Sequence, residues 1–351
     1  MKICFCLPEP SRKPVGGYKI VFEYANRLIE NGHEVSIVFN CENALSKYNI
    51  PKAVKKIICK YLIKIHPKWF SLSKEVKKIY ADGINNDSVP DGDVIIATAV
   101  RTAPEVFKLA RKKGEKIYFI QDFENWNLSN EDVYETYSLN MKKIVISKWL
   151  KKIVDEKSPL PSIYIPNGID FDSFGIDIPL DEREKHSLSM LYHKSEHKGT
   201  KYGLEAIYKL KKIYPDLKVR MFGAPKRPKD LPGWIEYTSN ASKEELRMIY
   251  NRTAVFLCTS VIEGFGLTGA EAMACGCALV STAYNGVFEY AENGKSALIS
   301  PIKDADSLVK NVSILFEDDN LRKQMGFHAQ KDIKKLSWER SIQLFENAIK
   351  V

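Results

Sequence analysis

The stretch AVFLCTSVIEGFGLTGAEAMACG, residues 254–276, combines a short apolar run, a glycine-containing loop and a helix-forming segment. The run AVFLC (254–258) predicts a buried strand, and a helix is predicted to begin near Thr268. Gly264 and Gly266 let the backbone approach a ligand closely, and the helix points its positive N-terminal end at the same place. This order of elements predicts a phosphate site in an α/β domain.

The same alternation of strands and helices continues in both directions along the chain. The predicted strands are 2–7, 34–39, 93–99, 116–121 and 143–147 in the first half, and 187–191, 217–222, 254–258, 278–281 and 296–300 in the second. Short apolar strands separated by helices predict parallel sheets with helices on both faces. The pattern restarts after a loop-rich stretch that contains Pro166, Gly168 and Pro179.

We therefore predict an α/β protein of two tandem Rossmann-like, doubly wound domains, which its 351 residues can accommodate. The first spans residues 1–166 and the second 167–337, and a C-terminal helix, 338–351, is expected to pack back on the first. In open α/β sheets, ligands bind outside the carboxyl ends of the strands. The expected functional site is a cleft between the two domains.

Composition excludes several classes of protein. Apolar residues make up 44% of the chain, so wholesale disorder is excluded. No apolar run approaches the ~18–20 residues that span a bilayer, and the start, MKICFCLPEP, is too short for a signal-peptide core. The seven cysteines lack the spacing of a zinc site or a disulfide framework, which predicts buried, reduced thiols. The expected location is cytoplasmic.

Glu263 and Glu271 form a Glu-x7-Glu pair around the glycine loop. Either carboxylate can accept hydrogen bonds from neighbouring hydroxyls of a ribose or a hexose. Taken singly, Glu271 is an ordinary acid near the start of a helix and Glu263 a loop charge. The pair, with Phe-Gly-Leu between, is much more specific for a sugar nucleotide.

These segments resemble the signature of the retaining nucleotide-sugar glycosyltransferases of family four, which have the two-domain GT-B fold. Further segments match in the same order: Gly16-Gly17, SKWL (147–150), IPNGIDFDSF (165–174), HKG (197–199) and GVFEYAENGKSALI (286–299). The resemblance covers nearly the whole chain. It implies an enzyme that transfers a sugar from a nucleotide diphosphate.

The resemblance also implies roles for individual residues. Glu271 would hold the ribose hydroxyls, Glu263 would contact the donor sugar and act in catalysis, and Lys198 would neutralise the departing diphosphate. The remaining donor-binding candidates are backbone or loop positions: Gly16, Gly17, Asn240, Ala241, Gly264, Phe265, Gly266 and Leu267. Without the motif, Lys198 would be a solvated lysine and the Gly16-Gly17 pair a simple turn.

Two positions depart from the family pattern. Where relatives carry an arginine five residues before the lysine, this chain has His193, which can donate to phosphate or be structural. Lys194 is the alternative substitute for that arginine. Where many relatives carry a histidine at a strand end, this chain has Gln121-Asp122, followed by Glu124. Asp122 is the candidate to receive the acceptor proton, and a turn-capping aspartate is the alternative.

No metal site and no cofactor besides the donor substrate are expected. The D-x-D segments 91–93, 170–172 and 304–306 resemble a metal motif of a different glycosyltransferase fold, but each is interpreted as a turn or a cap. A helix dipole, backbone amides and a lysine replace the cation in stabilising the leaving phosphate.

The net charge of +9 is concentrated in one segment. Residues 47–78 contain ten lysines and one acid, which leaves the rest of the chain neutral overall. An apolar stripe at 54, 57, 58, 61, 62 and 65 predicts a helix, with Lys52, Lys56, Lys60 and Lys64 on another face and Trp69 beyond its end. The helix is either packed on the core with a solvated lysine face or docked on an anionic membrane; nucleic acid fits less well.

The sequence thus predicts a metal-independent, retaining glycosyltransferase in polysaccharide or glycolipid assembly, peripheral on the inner face of a membrane. QDFE and MLYHKSEHKG resemble relatives that transfer rhamnose. The acceptor would be a saccharide or a lipid-linked saccharide. A nucleotide-sugar epimerase of the same fold and a non-catalytic lipid- or polyanion-binding module are the alternatives.

Overall fold

The computed structural model describes residues 1–126 and 128–350. The chain divides into two compact units, Met1–Pro166 with Ser341–Val351, and Asn167–Arg340. Each unit has its own sheet and its own apolar core. Asn127, inside the predicted first domain, and Val351, the last residue of the predicted C-terminal helix, lie outside the described residues.

The first unit is built on a parallel sheet. Its strands are β1 (Lys2–Leu7), β2 (Glu34–Asn40), β3 (Lys77–Ala81), β4 (Val94–Ala97), β5 (Glu115–Ile120), β6 (Lys142–Val145) and β7 (Ile163–Tyr164). Its helices are α1 (Gly16–Glu30), α2 (Lys52–Ile65), α3 (Ala103–Phe107), α4 (Asn130–Ser138) and α5 (Lys148–Asp155). Among the described residues the strand order is β3-β2-β1-β4-β5-β6-β7. The order reverses between β1 and β4, the topological switch point where ligands of such sheets bind.

The second unit repeats this design. Its strands are β8 (Ser187–Leu191), β9 (Lys218–Gly223), β10 (Ile235–Ser239), β11 (Val255–Cys258), β12 (Ala278–Thr282) and β13 (Ala297–Ser300). Its helices are α6 (Thr200–Ile213), α7 (Lys243–Asn251), α8 (Leu267–Ala274), α9 (Ala305–Glu317) and α10 (Asp319–Ile333). The described strands follow the order β10-β9-β8-β11-β12-β13, so the switch point lies between β8 and β11. The prediction of tandem doubly wound parallel sheets is confirmed.

The last helix, α11 (Trp338–Ile349), contributes to the first unit from Ser341 onward. Phe345 is fully buried there, with its ring 4.2 Å from that of Tyr24 and 6.2 Å from that of Phe5. The His33 ring meets Glu346 at 2.9 Å. These contacts give the C-terminal residues an aromatic anchor in the core of the first unit.

Three strands were missed in the sequence: β3, β7 and β10. The β3 sequence, KKIYA, begins with two lysines, and β10, IEYTS, alternates polar and apolar residues at the edge of its sheet. The β7 strand has only two residues. Edge strands are half-exposed, so they lack the continuous apolar run that marks a central parallel strand.

All seven cysteines are buried and none of them forms a disulfide bond, as the sequence predicted. The helices within residues 1–126 and 128–350 do not reach the length and apolar character needed to cross a bilayer.

Candidate active site

The residues of the glycine-loop motif meet at the switch point of the second unit. The chain leaves β8 through residues 192–199 and leaves β11 through residues 259–266, and both loops lie at the carboxyl ends of neighbouring strands. Lys198 lies on the first loop and Glu263 on the second. Parallel pairing of β8 with β11 thus brings together two charged residues that are 65 positions apart in the sequence.

Hydrogen bonds join the two loops to each other. The amide of Val261 donates to the carbonyl of His197 at 2.7 Å, and the Thr259 hydroxyl donates to the carbonyl of Lys198 at 3.1 Å. Gly199 follows Lys198 with a φ of +62°, and a Cβ there would overlap the carbonyl oxygen of Thr259. The HKG segment therefore needs glycine at its third position, both for its left-handed backbone and for the close approach of the loops.

Lys198, Glu263 and Ser260 form a compact charged cluster. The Lys198 Nζ lies 2.5 Å from Glu263 Oε1, and the Ser260 hydroxyl donates to Glu263 Oε2 at 2.8 Å. The two charged side chains are only 19% and 16% exposed. Burial opposes ionisation of Glu263, but the Lys198 ammonium and the Ser260 hydroxyl outweigh it and hold the pKa of the carboxyl below its ordinary value. The cluster is a preformed cation–anion pair.

Two neutral histidines flank this pair. Burial and the charge of Lys198 lower the pKa of His193, and burial, Lys198 and His193 together lower that of His197 to about 4. The amide of Ser195 donates to His193 Nδ1 at 3.1 Å, so the proton of the neutral ring is on Nε2. The imidazole that replaces the family arginine is therefore an uncharged hydrogen-bond donor at neutral pH.

The glycine loop ends in a helix start shaped by two tyrosines. Gly266 is the N-cap of α8, with a φ of +94°, and a Cβ on it would overlap the Tyr284 hydroxyl. The Tyr284 and Tyr290 hydroxyls are hydrogen-bonded to each other, and a Cβ on Gly269 would lie 2.5 Å from the Tyr290 oxygen. The two tyrosine hydroxyls thus leave no room for a side chain at Gly266 or Gly269. The helix begins at Leu267 rather than at the predicted Thr268.

The other loop residues surround this helix start. Gly264 and Phe265 are buried, and the Phe265 ring lies 5.5 Å from that of Tyr290. The Phe265 side chain thus packs in the core, so only the backbone of this residue is a candidate for contact with a phosphate. Gly286 comes so close that a Cβ on it would lie 2.7 Å from the Phe265 nitrogen.

Glu271 lies in the middle of α8 and is 4% exposed. The Tyr250 hydroxyl donates to its Oε2 at 3.5 Å. Burial and the Glu271 charge raise the pKa of Tyr250 well above its ordinary value. Glu271 is thus an enclosed acid rather than an ordinary solvated residue of a first helical turn.

Asn240 and Ala241 connect β10 to α7 at the same edge of this sheet. Asn240 is exposed, has a φ of +52°, and its amide donates to the carbonyl of Gly223 at 2.8 Å. Ser242 then caps α7 by accepting from the amide of Glu245 at 3.1 Å. Contact of Asn240 or Ala241 with a nucleotide base stays a prediction.

The site residues predicted in the first unit lie at its own switch point. Gly16 and Gly17 open α1 after the loop that follows β1, and a Cβ on Gly17 would lie 3.4 Å from the Gln121 side chain. Asp122 follows β5, and its Oδ1 accepts from the amide of Phe123 at 2.8 Å, as a turn-capping aspartate does. Receipt of a proton by Asp122 stays a prediction.

The basic helix α2 departs from its predicted orientation. Cys59, Leu62 and Ile63 face the core, whereas Val54, Ile57 and Tyr61 of the predicted stripe are 43%, 68% and 61% exposed. Lys52, Lys56, Lys60 and Lys64 are exposed as well. The helix therefore presents apolar and cationic side chains together at its surface.

Trp69 does not share that surface. It is half-buried, its ring lies 5.7 Å from that of Phe22, and its Nε1 donates to the carbonyl of Ser11 at 3.3 Å. These contacts direct the indole toward the interior of the first unit.

The aspartates of the D-x-D segments have structural partners. Asp91 pairs with Lys113 at 2.6 Å, Asp170 with Lys243 at 2.8 Å, and Asp304 accepts from the amide of Ser307 at 2.9 Å. Within residues 1–126 and 128–350, no group of three or more His, Cys, Asp or Glu side chains is arranged to hold a metal ion.

Ser260, Tyr284 and Tyr290 were missed in the sequence. Ser260 follows the end of the predicted strand 254–258 by two residues. Side chains just beyond the carboxyl ends of such strands lie where ligands bind, so its position in the sequence already indicated a site residue. The tyrosines lie in the segment GVFEYAENG and its approach, but nothing local shows that their hydroxyls fill the space left by two glycines.

Comparisons with known proteins agree with this geometry. Residues 179–332 match the family model described as glycosyl transferases group 1. An uncharacterised glycosyltransferase of Methanocaldococcus jannaschii is 24% identical over 57% of this chain and 57% of its own length. A phosphatidyl-myo-inositol mannosyltransferase of Mycolicibacterium smegmatis is 24% identical over 56% of this chain and 53% of its own. The chain thus spans about half the length of the curated relatives it matches.

Solved structures match over nearly the whole chain. TarM of S. aureus, solved with UDP among its ligands, has a TM-score of 0.76 at 12% identity and covers 100% of both chains. HepE of Anabaena, solved with UDP and glucose, has a TM-score of 0.72 at 15% identity and covers 99% of both.

The fold is that of the GT-B glycosyltransferases. Within that class, the chain carries a domain of the glycosyl transferases group 1, in its residues 179–332.

Proposed function

We propose that this chain is a retaining glycosyltransferase that moves a sugar from a nucleoside diphosphate to a saccharide or a lipid-linked saccharide, in polysaccharide or glycolipid biosynthesis. The observation that carries the proposal is the Lys198–Glu263–Ser260 cluster in the loops beside α8, whose N-cap is a glycine. The group 1 family match and the mannosyltransferase relative support the same class of reaction.

Each group in the cluster has a task in such a transfer. The bond between the anomeric carbon and the phosphate oxygen breaks, a bond to the acceptor oxygen forms, and the acceptor proton leaves to a basic oxygen. Lys198, the amides that open α8 and the Nε2–H of His193 stabilise the negative charge that grows on the leaving diphosphate. Glu263 accepts hydrogen bonds from the sugar and Glu271 from the ribose. These groups supply the stabilisation that a metal ion provides elsewhere, so we propose a metal-independent reaction without a separate cofactor.

The first experiment is thermal unfolding of the full chain with UDP, GDP, dTDP and ADP. A ligand that binds only the folded state stabilises by RT ln(1 + [L]/Kd), about 2.7 kcal/mol at a concentration 100 times Kd. We expect one diphosphate to raise the Tm, and Lys198→Met to reduce that rise. Lys212→Met, which changes an exposed lysine near the C-terminal end of α6, is the matched control. If none of the four stabilises the protein, the proposal is wrong.

Product analysis then separates transfer from epimerisation. With the sugar nucleotide of the diphosphate that binds, a transferase releases one diphosphate for each sugar moved and depends on an acceptor. An epimerase changes the sugar without an acceptor and releases no stoichiometric diphosphate. A dTDP preference would favour the rhamnose donor that the sequence suggested.

We also propose that α2 attaches the chain to an anionic membrane surface. Its exposed Ile57 and Tyr61 lie beside lysines that each contribute about 1 kcal/mol near such a surface. The attraction is screened by salt, because the Debye length falls to ~3 Å at 1 M.

Co-sedimentation with vesicles of phosphatidylglycerol and phosphatidylcholine tests this attachment. Changing Lys52, Lys56, Lys60 and Lys64 together to Glu should abolish binding, and Ile57→Ser with Tyr61→Ser should weaken it. The control changes four lysines of the second unit to Glu: Lys323, Lys331, Lys334 and Lys335. If the wild-type chain ignores these vesicles at low salt, α2 is an ordinary solvated face. Vesicle binding without any diphosphate binding would favour the non-catalytic module.

A further inference from the structure

The helices that follow β8 and β11 begin without a capping side chain. The N-caps of α6 and α8 are Gly199 and Gly266, with φ values of +62° and +94°. In the same unit, α7, α9 and α10 are capped by the side chains of Ser242, Asp304 and Asp318. The first amides of a helix have no partner inside it, so the N-cap residues of α6 and α8 leave these amides open to a ligand.

The first turn of α8 lies against two tyrosine hydroxyls. Tyr284 and Tyr290 stand on either side of the short 3-10 helix Asn285–Glu289, which follows β12, and each is 1% exposed. Their hydroxyls are hydrogen-bonded to each other, and the Cys258 thiol donates to that of Tyr284 at 3.6 Å. Burial raises the pKa of both hydroxyls well above the ordinary value, so both stay neutral at physiological pH.

These hydroxyls occupy the space that side chains would take on two glycines of α8. A Cβ on Gly266 would overlap the Tyr284 oxygen and lie 2.8 Å from that of Tyr290. A Cβ on Gly269 would lie 2.5 Å from the Tyr290 oxygen. Any side chain on either glycine would hold the helix away from the tyrosines, because a close-packed interior has no spare volume. The two glycines and the two hydroxyls together fix where the first turn of α8 lies.

We propose that Tyr284 and Tyr290 are positioning residues for the nucleoside diphosphate, because their hydroxyls set the place of the amides that open α8. This inference rests on the proposed function and deepens it by giving the loop after β12 a part in donor binding. Neither tyrosine has to touch the ligand. In an enzyme a displacement of about 1 Å can cost about 100-fold in rate, so a small shift of this turn is measurable.

A volume exchange between Gly269 and Tyr290 tests this role. In Gly269→Ala the added methyl group meets the Tyr290 hydroxyl, so either the helix or the ring must move. Tyr290→Phe removes that oxygen and leaves the methyl group 3.3 Å from the nearest ring carbon, which a small shift accommodates. We expect Gly269→Ala to weaken diphosphate binding about tenfold or more, and added Tyr290→Phe to restore it to within about threefold of Tyr290→Phe alone.

A second variant removes the support without adding volume. Tyr284→Phe with Tyr290→Phe takes away both partners of one hydrogen bond, a change that can be nearly neutral for stability. It opens space beside Gly266 and Gly269, so we expect weaker diphosphate binding with a Tm close to that of the wild-type chain. This variant keeps the test decisive if Gly269→Ala does not fold.

Calorimetric titration at one temperature below the Tm of every variant, with UDP, GDP, dTDP and ADP, measures affinity. Thermal unfolding without nucleotide measures stability, and a purely structural role would lower the Tm and leave the affinity unchanged. Tyr214→Phe, which removes a hydroxyl bonded to Glu317 at 3.0 Å, is the control for the tyrosines and should keep the wild-type affinity. Gly326→Ala overpacks α10 against the carbonyl of Gly276, at 2.5 Å, and Tyr290→Phe should not restore its Tm.

The outcomes separate the two proposals. If the wild-type chain binds a diphosphate and either Gly269→Ala or the paired Phe variant binds it equally well, the positioning role is wrong and the transferase function is unaffected. The positioning role is also wrong if Tyr290→Phe does not rescue Gly269→Ala. If none of the four diphosphates binds the wild-type chain, the proposed function and the positioning role both fail.

Discussion

Removal of the Lys198 ammonium should destabilise the second unit through Glu263. The two side chains meet at 2.5 Å and are 19% and 16% exposed. A fully exposed pair is worth about 0.2–1 kcal/mol, and breaking a fully buried pair costs about 3–5. With one charged hydrogen bond in a mostly enclosed place, we expect a coupling of about 2 kcal/mol. For a unit of this size that corresponds to a fall in Tm of about 4–8 °C.

A double-mutant cycle isolates this coupling. Lys198→Met, Glu263→Gln and the double variant are compared by urea denaturation, followed by circular dichroism and by tryptophan fluorescence. The control is Lys194→Met, whose exposed side chain should change the free energy of unfolding by less than about 0.5 kcal/mol. A coupling below about 0.5 kcal/mol would refute the inference that the pair is enclosed.

The pH dependence of the same coupling has a defined sign. The pKa of Glu263 is lowered in the folded state, so its contribution to stability is present above its unfolded pKa and is lost as pH falls through the folded pKa. In Lys198→Met the pKa of Glu263 should rise, so this loss begins at a higher pH. The difference in stability between the two proteins should therefore be largest near neutral pH and shrink in acid.

Three further predictions follow from the second unit. Glu271→Gln should weaken binding of the nucleoside diphosphate by about 1.5–3 kcal/mol, and unchanged affinity by calorimetry in a folded variant would contradict the ribose assignment. Because the pKa of His197 is lowered to about 4, the free energy of unfolding should fall by up to about 3 kcal/mol as pH drops from 6.5 to 4. Denaturation curves measured across this pH range should show a smaller fall for His197→Asn. An equal fall in the two proteins would contradict the lowered pKa. Sugar transfer should survive EDTA, and its complete loss with recovery on adding Mg²⁺ or Mn²⁺ would overturn the metal-independent mechanism.

Central elements were predictable because their sequences carry strong signals. Strands such as β1 and β11 are continuous apolar runs, and the glycine loop between β11 and α8 combines two independent constraints on the backbone. The family resemblance implied that Lys198 and Glu263 contact the same donor, but it did not predict their ion pair, because their closeness depends on β8 lying next to β11. Sequence spacing does not contain strand order, which is a property of the whole sheet.

The orientations of α2 and Trp69 could not be predicted, because they depend on which side of each element is buried. The apolar residues of α2 form one stripe on a helical wheel, yet Ile57 is exposed and Cys59 is buried. A lysine-rich helix has two candidate faces, and tertiary packing selects between them. Similarly, Trp69 was predicted to share the membrane-facing surface of α2 because it follows that helix in the sequence, whereas its ring packs against Phe22 of α1.

The crowding at Gly266 constrains how this protein can change over generations. A Cβ there would lie 2.2 Å from the Tyr284 hydroxyl oxygen and 2.8 Å from that of Tyr290, so both tyrosines would have to change or shift before the glycine is replaced. Even then, the φ of +94° leaves a backbone cost of about 1–2 kcal/mol. Tyr284, Tyr290 and Gly266 can therefore be substituted only in a fixed order, so these positions do not evolve independently of one another.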